Sequence, residues 1–375
     1  MKKEINIGIV GTQFMGRAHS NAWADVARFY DLPFQVVMKA ACDINPTSED
    51  NFAKRLGWKS FETSWENLIK RKDIDIIDIC TPNKLHMPIA VMAAQEGKHI
   101  ICEKPLAMTA HEAKQMAEAA EISGLNHMTA FNYRRVPAIV LAKKMIDDGK
   151  LGKIHHFNAV YYQDWLVDPG FQWVWRNDVK LAGSGAHGDM NAHTVDLARY
   201  LVGEFESVCG DEKVFVEERK KPGSDEMGKV TADDTTSFLA RFENGALGNF
   251  IATRFATGKK NFLRLEIFGS KGSIIFNLER LNELEYYSRD DHSAEQGFRN
   301  ILVTENEHPY INRWWPPGHI IGWEHTFIHE IGDFLKAIAN NVKITPDFYD
   351  GYKCQLVLDA VMESSKSRKW IDISN

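Results

Sequence analysis

Two short stretches of this 375-residue chain carry residue types that could do chemistry on an alcohol. In GKHIICEKPLA (97–107) the charged pair Glu103 and Lys104 closes a run of apolar residues and is followed at once by Pro105. Charged groups at the end of a buried strand have little reason to be there unless they face a site. Pro105 removes a backbone donor and fixes the chain direction, and a cis peptide is expected before it. In DMNAHTVDLARYL the residues Asp189 and His193 are four apart, so on a helix they share a face. Oxidation of a secondary alcohol needs a base for the hydroxyl proton while hydride departs, and a histidine titrating near neutrality suits that task. Asp189 can orient the substrate or relay the proton, and Lys104 can polarise the hydroxyl oxygen and stabilise a developing alkoxide. Taken alone, an aspartate and a histidine at this spacing also describe a hydrogen-bonded surface pair. With His187 they could be metal ligands, but neither spacing is a familiar zinc motif, and no metal is assigned. His187 itself receives no role.

A third stretch, NIGIVGTQFMGRAH (6–19), reads as a short buried strand, a tight turn between Gly11 and Gly16, and the start of a helix. A dinucleotide fingerprint would carry a glycine where Gln13 stands; Gln13 must turn its side chain away or lay it beside the pyrophosphate, which loosens the motif without abolishing it.

The elements that must position these groups follow from periodicity. Strands are expected at 34–43, 74–82, 99–105 and 126–134, and helices at 48–58, 64–72, 86–97 and 109–124. Strands apolar throughout and separated by amphipathic helices predict a parallel sheet covered on both faces, a doubly wound α/β domain over 1–128. Ligands in such sheets lie beyond the carboxyl ends of the strands, with the pyrophosphate at the first helix N-terminus. That places Gly11, Gln13, Phe14, Met15 and Gly16 at the cofactor, together with Asp43, Thr81, Asn83, Glu103, Lys104 and Asn132. Asp43 closes the second strand, where an acid accepts hydrogen bonds from an adenine-ribose diol and repels a 2′-phosphate, so NAD is expected rather than NADP.

From about 129 the pattern changes to alternating apolar and polar residues broken by glycine turns such as ENGA and GSKGS, which predicts an α+β domain over 129–375 built on a largely antiparallel sheet with one open face. An open face is a common basis for oligomers, and a homodimer or homotetramer is expected. Aromatic residues gather in loop-like stretches, with Trp165, Trp173 and Trp175 in QDWLVDPGFQWVWR and Trp314, Trp315 and Trp323 in RWWPPGHIIGW. They line a cleft or an interface. A sugar ring, with apolar faces and hydroxyl edges, suits Trp165 beside Tyr162, Gln163, Asp164, Arg135 and Arg176. The charged segment 217–234 reads as an exposed loop without a role.

The chain resembles the glucose-fructose oxidoreductase, inositol dehydrogenase and MocA family. The likeness rests on TQFMG, TPNKLH, the EKP triplet, AFNYRR, QDW and GSGAHGDMNAHTVDLARYLVG, and it runs over nearly the whole sequence. It implies an N-terminal Rossmann domain, a C-terminal α+β domain, NAD as cofactor and Lys104, Asp189 and His193 as the catalytic group. His86 of TPNKLH, with Trp175 and Arg176, completes the cofactor set; Lys104, Arg135, Tyr162, Gln163, Asp164, Trp165, Asp189 and His193 form the substrate set. The activity so implied is hydride transfer from a secondary hydroxyl, expected at carbon 3, of a pyranose, anhydrosugar or glycoside. A polyol or inositol dehydrogenase, an enzyme that recycles bound NAD in glycoside cleavage, and a non-catalytic sensor are the alternatives; the presence of Lys104, Asp189 and His193 argues against the last.

Composition narrows the partners. With 44% apolar residues the chain can fill two cores, and a net charge of −6 argues against nucleic acid. No apolar run approaches the ~18 residues that cross a bilayer, and the five cysteines, which form no CxxC pair, read as reduced thiols. A cytoplasmic protein acting on a small carbohydrate is expected, with no nucleic-acid or membrane partner.

Overall fold

The structure, a computed structural model, describes residues 2–373. It divides into two compact units, one formed by the chain up to Arg135 together with Gly322–Tyr352, the other by Val136–Ile321 together with the chain from Lys353 onward.

The first unit is built on six parallel strands, β1 (Lys3–Val10), β2 (Phe34–Cys42), β3 (Ser60–Glu62), β4 (Ile76–Ile79), β5 (His99–Glu103) and β6 (His127–Ala130), in the order β3-β2-β1-β4-β5-β6. This is the order that opens a crevice between β1 and β4, where the winding reverses. β4 is buried at every position, as a strand covered on both faces must be. Helices α1 (Phe14–Phe29), α2 (Trp65–Lys70), α3 (His86–Gln95) and α4 (Ala110–Ser123) connect the strands. Leu68, Ile89, Ala93 and Met116 pack with Ile77, Ile79 and Ile100 in one apolar core. The sequence itself stops and starts α4: Thr109 caps it by accepting from the Glu112 N–H, and Gly124 closes it at φ +69°.

Two local features depart from the expected pattern. The helix expected over 48–58 forms over 48–56 but is π-helical through Glu49–Lys54, and β3 follows it as an edge strand too short for periodicity to reveal. The segment 322–352 also returns to this unit, where the helix His325–Asn340 packs on α1 so closely that a Cβ on Gly332 would fall 2.4 Å from the Tyr30 ring.

The second unit carries α5 (Pro137–Asp147), β7 (Ile154–Tyr162), α6 (Val179–Ala182), α7 (Ala192–Leu201), β8 (Phe205–Lys213), β9 (Glu218–Lys220), β10 (Met227–Lys229), β11 (Thr235–Phe242), β12 (Leu247–Thr253), β13 (Phe262–Gly269), β14 (Gly272–Asn277), β15 (Glu283–Ser288), β16 (Arg299–Leu302) and β17 (Ile371–Asp372). Nine of these strands form one sheet in the order β16-β15-β14-β13-β7-β12-β11-β8-β17, antiparallel except for the β7–β12 pair. Alternation along β11 and β12 buries Phe238 and Phe250, stacked at 4.4 Å, and leaves Leu239 and Leu247 on the outer face about half exposed, at 50% and 48%.

Segment 217–234 is not the featureless exposed loop expected. It forms the β9–β10 hairpin, Arg219 within it is wholly buried, and Asp233 and Asp234 at its end are buried as well. Charge and breaker content hid this, because the buried groups are themselves charged. No helix among the described residues is long and apolar enough to cross a membrane.

Candidate active site

In the first unit the expected cofactor residues gather at the carboxyl edge of the sheet. Gly11 lies at φ +103°, and a Cβ there would sit 2.4 Å from the Cys80 carbonyl oxygen. A Cβ on Gly16 would sit 2.1 Å from the Gly11 oxygen, so neither position admits another residue without moving the turn. Gln13 has an ordinary φ of −80° and is exposed, so the missing middle glycine costs no backbone strain. Gln13 gives α1 no side-chain cap, which leaves the amide end of this helix fit to receive an anion. Asp43 is half-buried against the turn: Oδ2 accepts from the Thr12 N–H and hydroxyl, and Oδ1 accepts from the Asn45 N–H at 3.0 Å. Exposed Phe14 stacks on Trp323 at 5.4 Å, Met15 is half-buried beside it, and Thr81 keeps a buried hydroxyl oxygen with no protein partner. Asn83 opens the short 3-10 turn after β4, and Asn132 donates to the Thr326 hydroxyl at 2.8 Å. These features fit a dinucleotide along Gly11–Gly16, Asp43 and Thr81.

His86 and Glu103 serve the edge from beneath. The buried His86 ring lies 3.0 Å from both the Pro105 and Thr81 carbonyl oxygens, pinning the turn after β4 to the turn after β5; burial pushes its pKa down. Glu103 is held by His19, whose Nε2 is 3.0 Å from Oε1, while Nδ1 is 3.0 Å from both oxygens of buried Asp78. Burial is the largest single influence and would lower the His19 pKa, but Asp78 and Cys80 together raise it well above the usual value, which favours the charged imidazolium between the two carboxylates. Lys104 follows Glu103, half-buried at the strand end, and the Lys104–Pro105 peptide is cis, as expected from the sequence. The Lys104 N–H donates to Glu103 Oε2 at 3.1 Å. Arg135, expected at the substrate, is paired with Asp333 at 3.2 Å and donates to the Thr345 carbonyl in this unit.

In the second unit Asp189 and His193 lie where a π-helical turn, His187–Asn191, runs into α7. Asp233 fixes the entry to that turn by accepting from the Gly185 N–H at 2.5 Å and the His187 N–H at 2.8 Å. His187 is wholly buried: Nδ1 accepts from Asn191 at 3.1 Å, which leaves Nε2 to donate to the Leu358 carbonyl at 3.0 Å. Burial depresses its pKa, so it is a neutral structural residue.

Around the Asp189–His193 pair the structure assembles a polar network that the sequence only partly foretells. Tyr161, on the buried face of β7, lies 6.1 Å from the His193 ring, whereas Tyr162 points to the other face and stacks on Phe262. The Asn261 side-chain oxygen accepts from the Tyr161 hydroxyl at 2.8 Å and from Gln163 at 3.0 Å, and Gln163 in turn accepts from the Trp165 indole at 2.8 Å. Asp164 is engaged by Lys260 at 2.8 Å and the Gly258 N–H at 3.0 Å. Arg219 secures the loop that follows, donating to the carbonyls of Leu166, Asp168 and Phe171. Trp173 covers Gly228 of the hairpin, where a Cβ would fall 2.7 Å from the indole. Arg176 lies over the Trp175 ring at 4.4 Å and places Nε 3.9 Å from Asp189, so the structure groups these two residues with the Asp189–His193 pair in the second unit. Arg254 and Asn261 were missed. Arg254 carried a readable signal, a charge in phase with buried Phe250 and Ala252 on the inward face of β12.

Comparison with known proteins agrees with both halves. Residues 5–131 match the oxidoreductase family with an NAD-binding Rossmann fold, and 139–275 match the GFO/IDH/MocA C-terminal domain. The levoglucosan dehydrogenase of Pseudarthrobacter phenanthrenivorans is 42% identical over 99% of this chain and 98% of its own. Among solved structures, an oxidoreductase domain protein from Kribbella flavida superimposes with a TM-score of 0.97 at 47% identity, covering both chains in full. A levoglucosan dehydrogenase in complex with NADH and levoglucosan does so at 0.96 and 43%, over 99% of this chain and 100% of the other.

Proposed function

The chain belongs to the GFO/IDH/MocA family of oxidoreductases, whose amino-terminal domain is an NAD-binding Rossmann fold, and from that membership we propose that it is an NAD-dependent dehydrogenase of a pyranose, anhydrosugar or glycoside, acting on the hydroxyl at carbon 3. The observation that carries the reading is the polar network around Asp189 and His193, with Trp165 fixed above it by Arg254. An indole offers an apolar face to a sugar ring, and the surrounding amide, carboxylate and imidazole groups offer partners for its hydroxyls. The 42% identity to a levoglucosan dehydrogenase over nearly the full length supports the same substrate class.

NAD, when bound along Gly11–Gly16 and Asp43, supplies the hydride acceptor. Lys104 polarises the reacting hydroxyl and stabilises negative charge on its oxygen. His193 takes the hydroxyl proton as the carbon loses hydride and the C–O bond becomes a carbonyl, so two electrons leave the sugar and one proton goes to the imidazole. Asp189 orients the sugar by accepting from a neighbouring hydroxyl. We assign Gln163 and Trp165 to substrate recognition, with Tyr161 beside His193. A homodimer or homotetramer through the open sheet face is part of the proposal, supported by exposed Leu239 and Leu247. Incubation of the purified protein with NAD and levoglucosan, methyl glucosides, free hexoses and inositols tests the function: NADH formation with a sugar or glycoside is expected. NADH from inositols alone would reassign it as a polyol dehydrogenase, and silence with all compounds despite NAD binding would refute the dehydrogenase.

A further inference from the structure

We infer that Arg254 is a positioning residue of the reaction, holding Asp189 in the orientation the substrate hydroxyl requires and tying it to the Trp165 platform. The inference rests on the function proposed above and deepens it. Arg254 follows β12, where its N–H donates to the Asp234 carbonyl at 3.0 Å. The strand alternation that buries Phe250 and Ala252 carries its side chain inward, leaving it 1% exposed. A buried guanidinium needs a partner for its charge, and Arg254 has one through Nη2, although its Nε is buried without a hydrogen-bond partner. Here Nη2 donates to Asp189 Oδ2 at 2.8 Å and to the Gly185 carbonyl at 3.4 Å, while the guanidinium carbon Cζ lies 5.1 Å from the Trp165 ring centroid.

The geometry has three consequences. Asp189 is 30% exposed, so it can meet a substrate on one side while a fixed charge holds it from the other. A carboxylate paired with a guanidinium acts as an acceptor, which leaves the hydroxyl proton to His193. The third concerns Trp165: in cation–π contact with the same guanidinium and bonded through its indole N–H to Gln163, it shares a neighbour with the catalytic carboxylate. One side chain thereby contacts both the carboxylate and the ring platform, alongside Arg176 at Asp189 and Gln163 at Trp165. Lysine could carry the charge but would present a single ammonium and not a flat group that reaches Asp189 and Trp165 together.

The test is a double-mutant cycle with Arg254→Met, Arg254→Lys and Asp189→Asn, measured with whichever sugar the wild type oxidises best. Arg254→Met is expected to lower kcat by about 10²-fold, the scale of a misplaced catalytic group, while the Kd for NAD stays within about threefold and Arg254→Lys falls between. In the Asp189→Asn background the same change should cost kcat under about threefold, because that part of its effect runs through the carboxylate, while loss of the Trp165 contact shows as a raised KM for the sugar in both backgrounds. A full additional loss in that background, a parallel loss of NAD affinity, or wild-type kcat in Arg254→Met would overturn the assignment. If Arg254→Met does not fold, Arg254→Lys carries the same cycle, and wild-type kcat there, or an equal loss with and without Asp189, overturns it. Wild-type enzyme silent on every sugar refutes the proposed function and this inference with it, whereas an active wild type with an unaffected variant refutes the inference alone.

Discussion

Replacing His19 by glutamine probes whether the Lys104 edge of the sheet depends on the buried cation beneath it. His19 on α1 is wholly buried, 3.0 Å from both carboxylate oxygens of Asp78 at the end of β4 and 3.0 Å from Glu103 at the end of β5. Because its pKa is raised, its stabilisation is complete below pH 6.5 and is lost only as the pH climbs through the raised value, so neutral conditions measure it. Asp78 keeps the Trp23 indole donor at 2.7 Å and Glu103 keeps the Lys104 N–H. What disappears is one charged hydrogen bond to each carboxylate, at about 1.5–3 kcal/mol apiece, in line with the about 3–5 kcal/mol typical when one partner leaves a buried ion pair. Hydrogen–deuterium exchange at pH 7, resolved by peptide, should therefore show α1, β4 and β5 exchanging about 10²- to 10⁴-fold faster in His19→Gln, since each 1.4 kcal/mol is a factor of ten. A change below about fivefold in all three segments would show that the cluster is not a charged clamp.

Lys104→Met should abolish turnover while leaving the Kd for NAD, read by calorimetry, within a few-fold; an equal loss of both would contradict a role confined to the hydroxyl. Asp43→Ala should relax the preference for NAD over NADP by removing the acid expected to repel a 2′-phosphate, and it should also loosen the Thr12 turn it now holds; unchanged discrimination would remove Asp43 from cofactor selection. Glu212, half-buried on β8, has its carboxyl pushed up to about 7 by burial and by Asp233. Its folded form therefore binds a proton more tightly than the unfolded chain, and the stabilisation present below pH 4.5 is lost as the pH rises through 7. Glu212→Gln should raise the Tm at pH 8 by the equivalent of at most about 3 kcal/mol and leave it unchanged at pH 4.5; an equal shift at both pH values would show that titration is not the cause.

The sequence makes some of this legible and hides the rest for physical reasons. Strand and helix alternate with clear periods over the first 130 residues, so the parallel sheet, the glycine turn and the charged end of β5 can be read directly. The placement of Asp189 and His193 on helical turns is legible in their spacing, and the structure sets them where the π-turn runs into α7. Tyr161 and Tyr162 show where reading stops: adjacent strand residues face opposite ways, and nothing local says which faces the site. Arg254 and Asn261 lie far along the chain from the residues they hold: Asn261 meets Tyr161 and Gln163 through the pairing of β7 with β13, and Arg254 meets Asp189 where β12 packs on the π-turn. The return of 322–352 to the first unit is likewise a tertiary choice, recorded in close contacts such as Gly332 on Tyr30 rather than in local pattern.

The central claim is that hydride leaves carbon 3 of a pyranose ring for the nicotinamide. Oxidation of levoglucosan, or of the best glycoside found, labelled with deuterium at carbon 3 alone, tests it in one experiment. Mass spectrometry should find the deuterium in the reduced cofactor and the sugar product without it. Reduced cofactor without label, formed while the sugar keeps its deuterium, would contradict the assignment of the reacting carbon, and with it the roles of Lys104, Asp189 and His193 around that carbon.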